Sequence, residues 1–188
     1  MKISSKCSKP ISTEELSKGY CKSFYNAVRL IEDGGILLRN DRFLSALNCF
    51  RLGLEELAKA HLVINASTFN ESDEEKWEWF WKAFSDHKEK GRILEYELHW
   101  KSDSDKNKFH DIVNSLIEQR LESIYVQFDE RNEKFLSPED FFRDSEGLRR
   151  FVQNEFNYVK NVLRFFNLAG MPDPNTMLKV MDSLKKNI

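Results

Sequence analysis

The sequence predicts an all-α fold, a helical bundle with about five to seven helices, on three observations. Apolar residues recur three and four positions apart along most of the chain, which is the period of an amphipathic helix. Only 7 glycines and 4 prolines occur in 188 residues, too few for a turn-rich all-β fold. An apolar fraction of 40% supplies a core, so we expect one domain over residues 1–188, with residues 1–11 flexible.

Charge and composition limit the class of protein. The formal net charge of −2 gives no global positive field that would attract nucleic acid, although a local basic patch is compatible with it. No set of Cys, His, Asp or Glu has metal-ligand spacing, and the sequence has no glycine-rich phosphate loop. We therefore expect neither a metal nor a cofactor.

Three features predict a cytoplasmic protein. The cysteines, Cys7, Cys21 and Cys49, are odd in number, which suits a reducing compartment. The start, MKISSKCSKPIS, carries lysines but lacks the apolar core of a signal peptide. No apolar run is long enough to cross a bilayer, so no membrane partner is expected.

The segment 43–62 predicts a central helix, because it is apolar on two sides. One strip comprises Phe43, Leu47, Phe50, Leu54 and Leu57, and the other comprises Cys49, Leu52, Ala60 and Val63. The same helix carries a polar line of Asn48, Arg51, Glu55 and Lys59, and Glu56 falls inside the second apolar strip. Buried charges are costly unless paired, so these residues either pair with neighbouring helices or line a site.

The first helix is predicted to begin near Ser12, where Ser12 and Glu15 form a capping box. The pair Gly34-Gly35 either loosens or bends this helix, or lets another backbone approach it closely. Asn40-Asp41 is predicted to end it and to cap the central helix. The two helices should then form an antiparallel hairpin with a short turn.

A third helix is predicted from Ser72, its N-cap, to Gly91, which either ends the helix or kinks it before the helix continues. Its inner stripe is aromatic and comprises Trp77, Phe80, Trp81 and Phe84, whereas Trp79 points elsewhere and offers a contact surface. A fourth helix over 109–124 leads into an extended piece at 125–128 and a loop at 129–136. A fifth runs from Ser137 to about residue 168, with Gly170 as its stop, and a last helix runs from Asp173-Pro174 to near Leu184.

Polar residues of these helices suggest a candidate site between helices two, three and four. It comprises Glu55, Glu56, Lys59, His87 and Lys90, with Tyr125 as a further member. His87 can act as a general acid or base, with Lys59 and Lys90 supplying positive charge for RNA cleavage without a metal. Alternatively, His87 is structural and hydrogen-bonds a carboxylate of the cluster at the edge of the aromatic core.

The carboxylates of this cluster also have simpler interpretations. Glu55 and Lys59 are spaced as an ordinary ion pair on a helix surface. Glu56 lies among apolar neighbours and therefore needs a cation, for which Lys90 and Arg120 are the candidates.

Six motifs, in this order and spacing, resemble the AbiV family of abortive-infection proteins, a branch of the HEPN superfamily. They are RLIED at 29–33, SAL at 45–47, LEELAKA at 54–60, FSDHKEK at 84–90, YVQFD at 125–129 and SP at 137–138. The resemblance covers roughly residues 20–165. The sequence departs from the family at Ala58, where glycine is usual, and at Gln127, where aspartate is usual, so a role of that aspartate does not carry over.

The resemblance implies a HEPN-like helical bundle that forms a homodimer and defends bacteria against phage. It implies a toxin that shuts down translation or RNA in infected cells, with a phage-encoded activator protein and RNA as partners. Many HEPN proteins are metal-independent ribonucleases with an Arg-x4–6-His motif. Arg92 and His99 match it formally, but Ile93 stands where the motif has a polar residue.

Arg120 and Tyr125 form an Arg-x4-Tyr pair, a variant of that motif with a phenol in place of the imidazole. The alternative is that Tyr125 packs at a helix end and Arg120 is solvated.

Two hypotheses of function follow. A HEPN-type ribonuclease requires the polar cluster to open into a cleft near basic groups. A non-catalytic helical dimer that binds a phage protein or a translation component requires a closed, fully paired cluster. It also requires an exposed apolar surface, for which Trp79 and Trp100 are candidates.

Overall fold

The computed structural model describes residues 9–86, 89–90, 127–129, 134–136, 145–166 and 173–186. These residues form five helices and one two-stranded hairpin, and the prediction of an all-α fold is confirmed. The elements are α1 (Thr13–Arg39), α2 (Phe43–Ala66), α3 (Glu74–Ser85), β1 (Gln127–Asp129), β2 (Lys134–Leu136), α4 (Ser145–Phe166) and α5 (Pro174–Lys186). The predicted helix at 109–124, the Ser137 start and the Gly170 stop lie outside the described residues.

The hairpin shows one error in the sequence-based prediction. Strand β1 pairs antiparallel with β2, with Phe128 opposite Phe135. The extended piece predicted up to Phe128 is therefore confirmed at its end, but the loop predicted for 129–136 is wrong at both of its ends. Each strand has only three residues, too short for period-two alternation to stand out in the sequence.

Helices α1 and α2 form the predicted antiparallel hairpin, joined by the three residues 40–42. The amide of Arg42 donates to the carbonyl of Leu37, which closes the turn at 3.0 Å. The predicted break at Asn40-Asp41 is confirmed, but the predicted N-cap is wrong, because Arg42 occupies that position and makes no side-chain capping bond. Asp41 instead adopts a left-handed backbone with φ 56°, a conformation that aspartate tolerates better than most residues.

Glycines allow the two helices of this hairpin to pack closely. A Cβ at Gly34 of α1 would lie 2.5 Å from the Phe50 ring, and a Cβ at Gly53 of α2 would lie 2.8 Å from the Ile31 side chain. Each helix thus places a glycine opposite a large side chain of the other. Helix α1 continues through Gly34-Gly35, and the atoms nearest to this pair belong to side chains rather than to another backbone, whose close approach the sequence had suggested.

The N-terminus of α1 follows its sequence signal. The amide of Glu15 donates to the Ser12 hydroxyl at 3.3 Å, so the predicted cap is confirmed. Just before it, the carbonyl of Lys9 accepts a hydrogen bond from the Trp81 indole at 2.8 Å, and Ile11 packs against the core. This part of the N-terminal segment is therefore attached to α3.

Helix α3 presents its aromatic stripe to the core, as predicted. Trp77 and Phe80 are buried, Trp81 and Phe84 pack against the core, and Trp79 is 44% exposed. Neighbouring rings of the stripe, Trp77 with Phe80 and Phe80 with Trp81, meet edge to face.

Both predicted ends of α3 are wrong. The helix begins at Glu74 with Asp73 rather than Ser72 at the N-cap position, because the Asp73 carboxylate accepts from the Asn70 amide and pairs with Lys76. It ends at Ser85, where Asp86 takes an extended backbone, so the predicted continuation to Gly91 fails at this point. Gly91 itself lies outside the described residues.

Helices α4 and α5 complete the described core. Helix α4 packs on α2 and α1, and α5 packs on α1. Their buried apolar residues, among the side chains that the structure describes, are Val152, Val159 and Val162 on α4, and Met177 and Met181 on α5. Asp173 accepts hydrogen bonds from the amides of Asn175 and Thr176, so the predicted start of the last helix is confirmed, although the helix ends at Lys186 rather than near Leu184. None of the described helices is long and apolar enough to span a bilayer.

Substituting the α1 glycines tests how close this packing is. Gly34→Ala is expected to lower the free energy of unfolding by about 1–3 kcal/mol, because the new methyl group overlaps the Phe50 ring. Gly19→Ala in the same helix is the control, since its Cβ would lie an ordinary 3.8 Å from Val63. The control should gain about 0.5–1 kcal/mol from helix propensity. Urea unfolding followed by tryptophan fluorescence measures both, and equal effects would contradict the close contact.

Candidate functional site

The polar cluster, defined here as Glu55, Glu56, Lys59 and Lys90, lies where α2 meets the residues that follow α3. Two ion pairs hold it together. The Lys59 Nζ lies 2.5 Å from the Glu56 Oε1 within α2. The Lys90 Nζ lies 3.7 Å from the Glu55 Oε2, which ties the segment after α3 to the central helix.

Phe84, in the last turn of α3, contacts both lysines of the cluster. Its carbonyl oxygen accepts a hydrogen bond from the Lys90 Nζ at 3.4 Å. Its ring faces the Lys59 Nζ, which lies 5.7 Å from the ring centroid, within the range of a cation–π contact. The two lysines thus share one residue of α3 in addition to their carboxylate partners.

The cluster is largely closed to solvent. The Lys90 side chain is 3% exposed, those of Glu55 and Glu56 are 17% exposed, and that of Lys59 is 23% exposed. A lysine that is this buried requires compensation of its charge, and Glu55 together with the Phe84 carbonyl supplies it. Among the described members of the cluster, both ammonium groups have a carboxylate partner.

The sequence after α3 explains how Lys90 reaches this position. The Ser85 hydroxyl donates to the carbonyls of Trp81 and Lys82, competing with the backbone bonds that would extend the helix. Asp86 then turns into an extended conformation, and its carboxylate accepts from the amide of Glu89 at 3.4 Å. A helical turn restarts after this break, and Lys90 points back toward α2.

Some predicted pairings within the cluster are wrong. Glu56 pairs with Lys59, three residues along α2, rather than with Lys90, which was one of its two candidate partners. Lys90 pairs instead with Glu55, for which an ordinary surface ion pair with Lys59 was one interpretation. The helical spacings allow either carboxylate, and the choice depends on where the chain turns after Ser85. The other predicted site residues, His87, Arg120 and Tyr125, lie outside the described residues, as do Arg92, His99 and Trp100.

A second buried polar feature joins α2 to α4. Arg51 is 5% exposed and Glu155 is 7% exposed. Burial raises the pKa of the Glu155 carboxyl above its ordinary value, and the positive charge of Arg51 offsets only part of that rise. Among the residues that the structure describes, none hydrogen-bonds the Glu155 Oε2. Arg51 belongs to the polar line that the sequence singles out, and the structure places it in the core.

Sequence analysis missed Glu155. It stands at helical spacing between Val152 and Val159, both fully buried. Two signals together would have identified Glu155: it is an acidic residue on the apolar stripe of a helix, and the central helix carries an arginine, Arg51, for which no partner had been predicted.

A family model of the HEPN class, described as AbiV, matches residues 15–150, which is more than half of the chain. The protein therefore belongs to the AbiV family of HEPN proteins, and the resemblance seen in its motifs is confirmed. This membership suggests an abortive-infection function of the HEPN type. No curated protein and no solved structure is significantly similar to the chain.

Within the described part of the chain, no group of three or more His, Cys, Asp or Glu residues is placed to hold a metal ion.

The buried carboxyl on α4 makes stability depend on pH. Because the folded-state pKa of Glu155 is raised, its contribution to stability is full below the ordinary pKa of 4.5 and is lost as the pH rises through the raised value. Glu155→Gln is therefore expected to raise the free energy of unfolding near neutral pH, with a gain that shrinks as the pH approaches about 4.5. Urea unfolding at several pH values measures this gain.

The matched control is Glu146→Gln, an exposed carboxyl on the same helix. This control should change the free energy of unfolding little at any of the pH values. A Glu155→Gln protein that is less stable than the wild type at neutral pH would mean that the attraction between Arg51 and Glu155 outweighs the cost of burial.

Proposed function

We propose that this AbiV-family protein is an abortive-infection effector that acts by binding, as a helical homodimer that engages a phage protein or a component of the translation machinery. The observation that carries the proposal is the closed state of the polar cluster. Lys90 is 3% exposed and pairs with Glu55, and Lys59 pairs with Glu56.

A closed cluster is poorly suited to RNA cleavage. Cleavage without a metal needs a cation that reaches the phosphate in the transition state. Lys90 lies behind Glu55 and the Phe84 carbonyl, so its ammonium would have to leave both to meet a substrate. In its observed position it stabilises the packing of the segment after α3 against α2.

An exposed aromatic side chain supports the binding mode. Trp79 lies on α3, on the side opposite the buried stripe, and is 44% exposed. Its neighbours along that face, Glu75 and Lys82, are also exposed. Tryptophan is the residue type most enriched at interaction hot spots, so this face is the candidate contact surface for a target protein.

The second candidate function is a metal-independent ribonuclease of the HEPN type, acting as a toxin on RNA in infected cells. Family membership favours it, and so does the access of solvent to one edge of the cluster, where Lys59 is 23% exposed. In that mechanism His87 is the acid or base, with Arg120 and Tyr125 as the alternative pair.

RNA cleavage by the purified protein separates the two functions. Wild type and His87→Ala are incubated with cellular RNA in EDTA, each with and without extract of phage-infected cells. We expect no cleavage in any condition and intact protection against phage in both proteins, because the binding mode needs no acid or base. Cleavage that survives EDTA and is lost in His87→Ala would contradict the proposal and establish the ribonuclease.

The same assay includes variants of the cluster. Lys59→Met tests the cation with the greatest access to solvent. Its control is Lys18→Met, which removes a lysine that pairs with Glu14 and Glu15 on the surface of α1. A loss of EDTA-resistant cleavage that is confined to Lys59→Met would also favour the ribonuclease.

The contact surface on α3 gives a separate prediction. Trp79→Ala is expected to reduce protection against phage by about tenfold or more in plaque counts, since truncating a hot-spot residue costs about 2 kcal/mol. Unfolding should be unchanged, because the side chain is largely exposed. Glu78→Ala, its exposed neighbour, is the control. Unchanged protection in Trp79→Ala would exclude this face as the contact surface.

A further inference from the structure

Helix α1 carries a stripe of exposed side chains. Tyr25 is 42% exposed and Ile36 is 50% exposed, and with Trp79 they are the large apolar side chains most open to solvent among the described residues. Arg29 and Glu32, both exposed, lie between them. Steps of four, three and four residues place all four side chains on one stripe of the helix.

This stripe is self-complementary. The midpoint between Tyr25 and Ile36 is also the midpoint between Arg29 and Glu32. If a second α1 lies antiparallel on the first, related by a two-fold axis through that midpoint, each residue faces its counterpart in the pair. An aromatic ring then meets an aliphatic side chain twice, and a guanidinium meets a carboxylate twice.

We propose that a second copy of this chain docks on this face of α1, antiparallel and two-fold symmetric. Tyr25 contacts the partner's Ile36, and Arg29 pairs with the partner's Glu32. This contact rests on the homodimer of the proposed function, for which it supplies the interface.

Charge fixes the direction and register of this contact. A parallel arrangement would set Arg29 against its own copy and Glu32 against its own copy, and like charges in contact oppose association. The guanidinium of Arg29 already donates to the Asn26 side chain at 2.8 Å, which orients it on the helix surface. Arginine has further N–H groups for a carboxylate of the second copy.

The extent of the stripe sets the strength of the dimer. From Tyr25 to Ile36 the helix rises about 16 Å. Further outward along the stripe, the same two-fold axis would bring Lys22 of one copy opposite Arg39 of the other. Both residues are basic and exposed, so they repel each other and the attractive part of the contact ends there. A contact of this length along one helix is expected to bury less than the roughly 1,200–2,000 Å² of a stable interface, so the dimer should form in the micromolar range and depend on concentration.

Charge reversal gives a sharp test by sedimentation equilibrium, up to about 300 µM protein. Arg29→Glu and Glu32→Arg should each weaken dimerisation by about tenfold, because each creates two like-charge contacts. Mixing the two variants should restore it, since the heterodimer then has two attractive pairs, and the double variant should restore it as well. Arg150→Glu, a reversal of an exposed charge on α4, is the control and should dimerise like the wild type.

The apolar contact is tested independently. A double variant that carries both Tyr25→Ala and Ile36→Ala should also weaken dimerisation by about tenfold, because both apolar contacts of the dimer are lost. All these side chains are exposed, so circular dichroism should show the folded helices in every variant.

The outcomes distinguish this interface from the proposed function. A wild type that stays monomeric at the highest concentration overturns the inference. So does a wild-type dimer that neither reversal weakens, although that result leaves the homodimer of the proposed function intact on another face. Reversals that weaken the dimer but are not rescued on mixing also overturn it. EDTA-resistant RNA cleavage that needs His87 would overturn the binding function without bearing on this face.

Discussion

The close packing of α1 against α2 is the constraint on which the rest of the described structure depends. The Phe50 ring lies over Gly34, and a larger residue than glycine at position 34 would overlap it. In this position the Phe50 ring stacks on Phe156 of α4, with 5.1 Å between the ring centroids. Phe156 in turn contacts the neighbouring Gly35. Two adjacent glycines thus accommodate aromatic rings from two different helices, so the position of α4 depends on the spacing of α1 and α2.

Helix α2 divides its charged residues between two kinds of environment. Arg51 lies in the core beside α4, where burial dominates and the pKa of Glu155 is raised. About one turn further along, Glu55 begins the polar cluster, in which each described ammonium group has a carboxylate partner. The raised pKa of Glu155 predicts that the first arrangement costs stability near neutral pH, whereas in the second arrangement Glu55 compensates the charge of the buried Lys90. The charged residues on one line of this central helix therefore take part in two separate contacts within the described part of the chain.

The sequence was sufficient for the parts of the fold that depend on local signals. The Ser12 cap, the break at Asn40-Asp41 and the inward aromatic stripe of α3 followed from residue type and spacing. The membership of the AbiV family followed from the resemblance of six motifs to that family. The end of α3 did not follow, because aromatic residues at helical spacing continue up to Phe84 and outweigh the weaker signal of Ser85-Asp86.

The pairing within the cluster depends on that same break. Glu55 and Glu56 are neighbours on α2, and only the direction in which the chain turns after Ser85 decides which of them meets Lys90. Glu155 was missed for a related reason. Glu155 is notable because it is buried and interacts with Arg51 of α2. The helical pattern of α4 alone shows only an acidic residue among apolar ones.

The double role of Phe84 has a consequence for genetics. Its ring faces Lys59 and its main-chain carbonyl receives Lys90, so one residue serves two ammonium groups through chemically different parts. A side-chain substitution such as Phe84→Leu removes the aromatic face and keeps the carbonyl acceptor. The contributions of the two lysines are therefore separable by mutation, even though both are held by the same residue.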